Sequence, residues 1–221
     1  MPSVALFVSV PIASFRNPRA REYLETLPVP PPATVYGMLL SMIGERRRLR
    51  HVGAQVAVAL LSPAPRSRVL RNVWRVKTLR WPLGLGENKR PDFQELLTGI
   101  RLAVHVRDGV GEGDPSLAQR VRQAIVSPAS VSRFGGLALG ESTHLVNAIR
   151  ELRDEDWGDQ TTWLTRGVGG LLALPVWPDH VGSAGTRFEQ FSLQPAQGTV
   201  LTPPPEAWTT IGRRRSIEER V

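Results

Sequence analysis

Between residues 63 and 90 stand Arg66, Arg68, Arg71, Arg75, Lys77, Arg80, Lys89 and Arg90, opposed by Glu87 alone. Eight cations against one anion leave +7 of the chain's formal +8 in this one stretch. Guanidinium groups at such density neutralise phosphates, and a genome-wide preference for arginine would have spread them evenly. In an extended strand Arg71, Arg75 and Lys77 share one side, while Leu70, Trp74 and Val76 share the other. Trp81-Pro82-Leu83-Gly84-Leu85-Gly86 then makes a turn. The expectation is a projecting arm of two strands, basic on one side and apolar on the other. Two smaller clusters accompany it. Arg16, Arg19 and Arg21 share a loop with Asn17-Pro18, and Arg46, Arg47, Arg48 and Arg50 follow a short helix, where they also suit the negative end of its dipole.

Catalysis has less to draw on. Metal-independent RNA cleavage needs a general base, usually His, beside a cation or Tyr that stabilises the phosphorane. The histidines, His51, His105, His144 and His180, are scattered, and neither Lys77 nor Lys89 has a neighbouring His. His105 and His144 are the two worth testing. The run Asp154-Glu155-Asp156 is a poor metal site, since consecutive carboxylates rarely converge. Gly167-Val168-Gly169-Gly170 lacks the Lys-Ser/Thr of a phosphate-binding loop. No catalytic residue, metal or cofactor is expected. The absence of cysteine fits a reducing cytoplasm, and no stretch is long and apolar enough to span a membrane.

These residues need a scaffold, and periodicity supplies one. Val4, Leu6, Val8 and Val10 alternate in a first strand, with Phe7 on the opposite face, open to stack a base or covered by an extension. Pro28 and the run of prolines at 30–32 form a stiff arm that turns into a helix with Val35, Met38, Leu39, Met42 and Ile43 on one stripe. Thr34, Gly37 and Ser41 leave its other face bare, its N–H groups suit a phosphate, and Gly44 ends it. Residues 55–61 are a buried strand. Residues 101–107 alternate again, with Leu102, Val104 and Val106 inward and Arg101, His105 and Arg107 forming a basic sheet surface. Asp114-Pro115 starts a second helix with Leu117, Val121, Ala124 and Ile125 buried, and Ser127-Pro128 ends it. Either 137–139 or 145–149 completes the order. The result is an α+β fold: a ferredoxin-like (RRM-like) βαββαβ core over residues 1–150, with an inserted basic β-hairpin at about 63–100 and a β-rich C-terminal extension over 151–221. In that extension 151–159 is an acidic loop, 168–177 and 186–193 are strands, and 201–221 is an extended tail.

Ala13-Ser14-Phe15-Arg16, the proline arm, and Thr34-Val35-Tyr36-Gly37-Met38-Leu39 together resemble the N-terminal signature of the fifth family of CRISPR-associated proteins. Gly136-Leu137-Ala138-Leu139-Gly140-Glu141-Ser142 is similar to that family's Leu-Gly-x-Ser strand end. The resemblance implies a cytoplasmic, non-catalytic subunit of the type I effector (Cascade) complex. Such a subunit holds the 5′ handle of the guide RNA, and its inserted hairpin, the thumb, lies against RNA and the next backbone subunit. Implied partners are the guide RNA, the repeated backbone subunit, the large subunit that reads the protospacer-adjacent motif, and target DNA within the complex. On this reading the RNA-binding residues are Arg16, Arg19, Arg21, Thr34 and Tyr36 near the arm. In the thumb they are Arg66, Arg68, Arg71, Trp74, Arg75, Lys77 and Arg80, with Tyr36 or Trp74 stacking or wedging, or Trp74 anchoring the thumb's own packing. Two other readings compete: a metal-independent endoribonuclease that processes precursor guide RNA, as in one subtype of the family, and a structural adaptor with incidental charge.

Overall fold

Ser3–Ala13 form β1, and Val4, Leu6, Val8 and Val10 bury together as a period of two requires. The computed structural model describes residues 3–18, 20, 23–74, 77–181, 184–196 and 202–212. After β1 come α1 (Pro32–Met42), β2 (Gln55–Leu60), β3 (Arg66–Trp74), β4 (Lys89–Arg107) and α2 (Leu117–Val126). The strands β5 (Ala148–Glu151), β6 (Thr162–Arg166), β7 (Leu172–Trp177), β8 (Arg187–Pro195) and β9 (Thr209–Thr210) follow. One antiparallel sheet runs in the order β5-β1-β4-β2-β6-β8-β7, with β3 paired to β4 and β9 to β2 off that path. The fold is mixed α+β, dominated by this sheet. Among the described residues no helix is long and apolar enough to cross a membrane.

The stripe of α1 is buried as read, and Gly44 follows the C-cap Ile43 with φ 67°, the left-handed turn that favours glycine. The helix start differs from the phosphate-ready terminus expected. Pro31 and Pro32 have no N–H, and the Thr34 and Val35 N–H groups both donate to the Pro31 carbonyl, at 2.9 and 3.1 Å. In α2 the N-cap is Ser116, not Asp114. Its hydroxyl accepts from the Gln119 N–H at 3.2 Å while the Gln119 side chain accepts from the Ser116 N–H at 3.0 Å. A Ser-x-x-Gln box satisfies two otherwise orphaned donors, which outweighs the Asp-Pro signal just before it.

Both faces of the sheet are covered. The helices cover Val56, Val58, Leu102, Val104 and Val106. On the other face Phe7, Ala57, Ala59 and Ala103 pack under Trp163, Ala207 and Trp208 of the C-terminal segment. The three alanines leave the depth that two indole rings fill. This corrects the basic surface expected there. Arg107 lies 4.0 Å from the Trp208 ring centre and Arg101 5.5 Å from that of Phe7. His105 is walled in by Trp157, Trp163 and Trp208, and burial pushes its pKa down to about 4.

β4 is longer than the alternation at 101–107 suggested. It is 19 residues long, and pairing to β1 is interrupted opposite Pro11, where Gly99 takes φ 61°. A proline without a donor and a left-handed glycine mark the junction between the half of β4 inside the sheet and the half in the hairpin. Next to β1 the strand is β5, overlapping the end of the 145–149 candidate, while 137–139 contributes buried Leu137 and Leu139 and a single bridge, Ala138 to Leu145.

Candidate nucleic-acid interface

Three segments far apart in sequence meet at the root of the β3–β4 hairpin. The loop after β1 pairs with the proline arm: the Phe15 N–H donates to Thr26 Oγ1 at 2.9 Å, Leu27 N–H to the Phe15 carbonyl at 2.7 Å, and Arg16 bridges Thr26. On its other edge the arm extends the hairpin, with the Leu24 N–H on the Phe93 carbonyl at 3.0 Å and the Glu95 N–H on the Leu24 carbonyl at 2.9 Å. Glu95, buried, pins the junction. Its carboxylate accepts from the Thr26 N–H at 3.2 Å and the Tyr23 hydroxyl at 3.3 Å, with Arg66 at 3.5 Å and Arg68 at 4.0 Å. Replacing Glu95 by Ala strands a buried N–H, so a loss of about 2 kcal/mol in urea denaturation is expected.

The glycine-rich loop closes the root from the other side. Gly140 has φ 104°, and any Cβ there would stand 2.8 Å from the Ser14 carbonyl oxygen. Only glycine combines that turn with that approach. His144 Nδ1 accepts from the N–H groups of Ser14 at 3.2 Å and Glu141 at 3.0 Å, and burial holds the ring below its usual pKa. Glu141 accepts from Gln94 at 2.7 Å and Arg71 at 3.2 Å, and Arg71 also donates to Gln94. Arg16, Arg66, Arg68 and Arg71 are all exposed at the root, Arg66 and Arg68 on the Glu95 side of β3 and Arg71 on the opposite side with Gln94 and Glu141. On the Glu95 side, Asn17, Thr26, Arg66, Leu172 and Phe188 line a groove of about 610 Å³.

The hairpin differs from the two-sided arm expected. Register places Leu70 opposite Phe93 and Arg68 opposite Glu95, so Arg66, Arg68, Leu70 and Trp74 share one side. That side is basic at the root and apolar towards the tip, where Leu70, Trp74 and Phe93 are 65, 68 and 52% exposed. The strand ends at Trp74, so Lys77 sits in the tip, 3.3 Å from Glu87. Asn88 is buried in that turn, accepting from the Lys77 and Thr78 N–H groups at 2.8 and 3.0 Å and donating to the Thr78 carbonyl at 2.8 Å. Trp74 lies against Gly84 and Trp81 against Gly86, and the Arg80 guanidinium lies 5.8 Å from the Trp81 ring centre.

Tyr36 does not stack or wedge. It is 4% exposed, its hydroxyl donates to the Arg48 carbonyl at 2.6 Å, and its ring faces Trp177. The apolar stripe of α1 and the ring's own area draw it inward. Thr34 is half-buried at the helix start, away from the hairpin pairings. Arg19, Arg21 and Arg75 lie outside the described residues. Charge counting overlooked Gln94, Glu95, Glu141 and Tyr23. A signal for the acids existed: the count stopped at Arg90, and Asp92 and Glu95 on the return strand lower the hairpin's surplus. Nothing local marks Glu141 as the partner of Arg71.

A large antiparallel sheet backed by two helices, with a hairpin whose root is closed by an arm and a glycine loop, defines a mixed α+β class of protein. A family profile described as CRISPR-associated protein (Cas_Cas5) matches residues 3–184. The chain is 47% identical over 194 residues to the CRISPR-associated protein Cas5 of Myxococcus xanthus (strain DK1622), covering 86% of this chain and 90% of that one. This chain therefore belongs to the Cas5 family of CRISPR-associated proteins. In fold it is similar to a chain of a CRISPR RNA-guided surveillance complex, with a TM-score of 0.60 at 16% identity over 88% of this chain and 90% of that one.

Proposed function

We propose that this protein is a non-catalytic subunit of a type I CRISPR effector complex and holds the 5′ handle of the guide RNA at the hairpin root. The observation that carries the reading is the convergence of arm, glycine loop and hairpin on Glu95 and Glu141, which fixes Arg66 and Arg68 on one side of the hairpin, with Arg66 in the groove, and Arg71 on the other. Guanidinium groups held at fixed spacing take phosphates, and a splayed base fits a groove with polar and apolar walls. Lys77, Arg80 and the tip extend the contact. The strand order β5-β1-β4-β2, with α1 and α2 as crossovers, supports reading residues 1–150 as a ferredoxin-like core, with a thumb at 63–100 and an extension at 151–221. The apolar distal side, Leu70, Trp74 and Phe93, suits the repeated backbone subunit, leaving other surfaces for the large subunit and target DNA. A non-catalytic role agrees with His105 sealed under indoles and His144 engaged by two N–H donors, neither placed to accept a proton from a ribose.

Replacing Arg66, Arg68 and Arg71 together by Ala is expected to weaken binding of a repeat-derived RNA at least tenfold. The slope of log K against log salt should become shallower by about 2, roughly 0.7 for each phosphate contact on a single strand. An unchanged slope would place the handle elsewhere. Repeat RNA incubated with the protein in EDTA should remain intact.

A further inference from the structure

The cations after α1 divide sharply. Arg48 turns inward, donating to the Pro178 carbonyl at 2.9 Å and covering Trp177 at 4.7 Å, and Arg50 pairs with Glu45 at 3.3 Å. Arg46 and Arg47 are exposed, and among the described residues their side chains make no ion pair or hydrogen bond. The loop that packs on Gly44 adds Arg133, also exposed and unpaired among the described residues, and Phe134, which is 89% exposed with the Arg46 guanidinium 5.9 Å from its ring centre. The hairpin shows how differently this chain treats a cation that has a partner: Arg66, Arg68, Arg71 and Lys77 each face a carboxylate.

Service to the helix dipole does not explain the patch. The Ile43 carbonyl at the end of α1 already accepts from Arg120 at 3.3 Å, and both carboxylate oxygens of Glu45 are engaged. Three guanidinium groups without acids repel one another, and a fully presented aromatic ring beside them gains nothing from packing. A flexible polyanion with flat bases resolves both, since phosphates neutralise the cations and a base covers the ring. The end of α1 that bears Arg46 and Arg47 lies about 16 Å along an 11-residue helix from the proline arm.

We infer that Arg46, Arg47, Arg133 and Phe134 form a second contact for single-stranded nucleic acid, with phosphates on the arginines and a base stacked on Phe134. The inference goes beyond handle binding, and its test is independent of it. The probes are labelled oligouridylate and oligothymidylate, titrated onto the purified full chain by fluorescence anisotropy over a range of salt. Replacing Arg46, Arg47 and Arg133 together by Ala should make the salt slope shallower by about 2. Phe134→Ala should weaken binding fivefold or more, and Phe134→Tyr should restore it. All four side chains are on the surface, so unchanged thermal melts should accompany these losses. A stronger loss on oligouridylate would assign the site to RNA, one on oligothymidylate to displaced DNA, and equal losses to either backbone; each supports the inference. Wild-type affinity and slope in both variants would overturn it. So would competition by polyglutamate as effective as that by oligouridylate of equal charge, which would make the patch a site for an acidic protein. Handle binding is read separately from the Arg66, Arg68 and Arg71 variant, so either result can fail alone.

Discussion

Trp177→Ala is expected to cost about 4 kcal/mol, the range for emptying a large aromatic site in a packed core. Trp177 is 1% exposed, on β7 of the C-terminal extension, yet its neighbours belong to the N-terminal half. The Tyr36 ring lies 6.2 Å away on α1, and Arg48 covers its other side. Removing the indole therefore opens a cavity between extension and helix, and Arg48 loses the surface it lies on. Urea denaturation followed by circular dichroism and by fluorescence should give one coincident transition, shifted to lower urea in the variant. Two transitions would mean that residues after 150 fold separately. The single transition is expected because β6 adds to β2 within the same sheet and Trp163 and Trp208 seal its second face.

Arg120→Met should cost about 2 kcal/mol, because Glu45 loses the nearer of its two guanidinium partners and keeps Arg50 at 3.3 Å and the Arg47 N–H. Arg120 donates to Glu45 Oε2 at 2.5 Å, to His51 Nε2 at 2.9 Å and to the Ile43 carbonyl, while His51 Nδ1 lies 3.0 Å from Glu112. This network ties the end of α1 to α2. The Arg47 N–H, and then Arg120, draw the Glu45 carboxyl down from its usual 4.5 to about 2. A depressed carboxyl stabilises the fold fully above its ordinary value and loses that contribution as pH falls towards the depressed one. Wild-type stability should therefore decline between about pH 4.5 and about pH 2, and Arg120→Met should decline less steeply. Asp156, held low by Arg150 in a two-point pairing at 2.6 and 2.7 Å, adds a decline in the same direction in both proteins. Denaturation at about pH 7 and about pH 3 measures the difference.

Most elements were legible in consecutive residues. The alternation in β1 and the latter half of β4, the stripes of α1 and α2, and the turns at Gly44 and at 81–86 are all where pattern put them. The return strand of the arm was expected but not bounded, because Lys89-Arg90-Pro91-Asp92 has neither alternation nor apolar bulk, and pairing with β3 fixes where β4 begins. β6 escaped for a related reason: Thr162–Arg166 is short, and its place beside β2 is a long-range pairing. The extended tail expected over 201–221 turns back to the sheet within residues 202–212, burying Trp208 and Ile211 and pairing as β9, while 213–221 lie outside the described residues.

The candidate site divides the same way. Residue types and charge density were enough to find the hairpin, the arm and the glycine loop, because turn chemistry, periodicity and net charge belong to neighbours along the chain. Which cations remain available to a phosphate was a matter of distant carboxylates. Glu95 and Glu141 hold the root arginines in place, while no acid reaches Arg46, Arg47 or Arg133 among the described residues. Tyr36 and His105, polar by type, were removed from any surface by rings more than fifty residues along the chain, Trp177 and Trp208 among them. Ion pairing and burial act through space, and a linear order of residues holds neither distance.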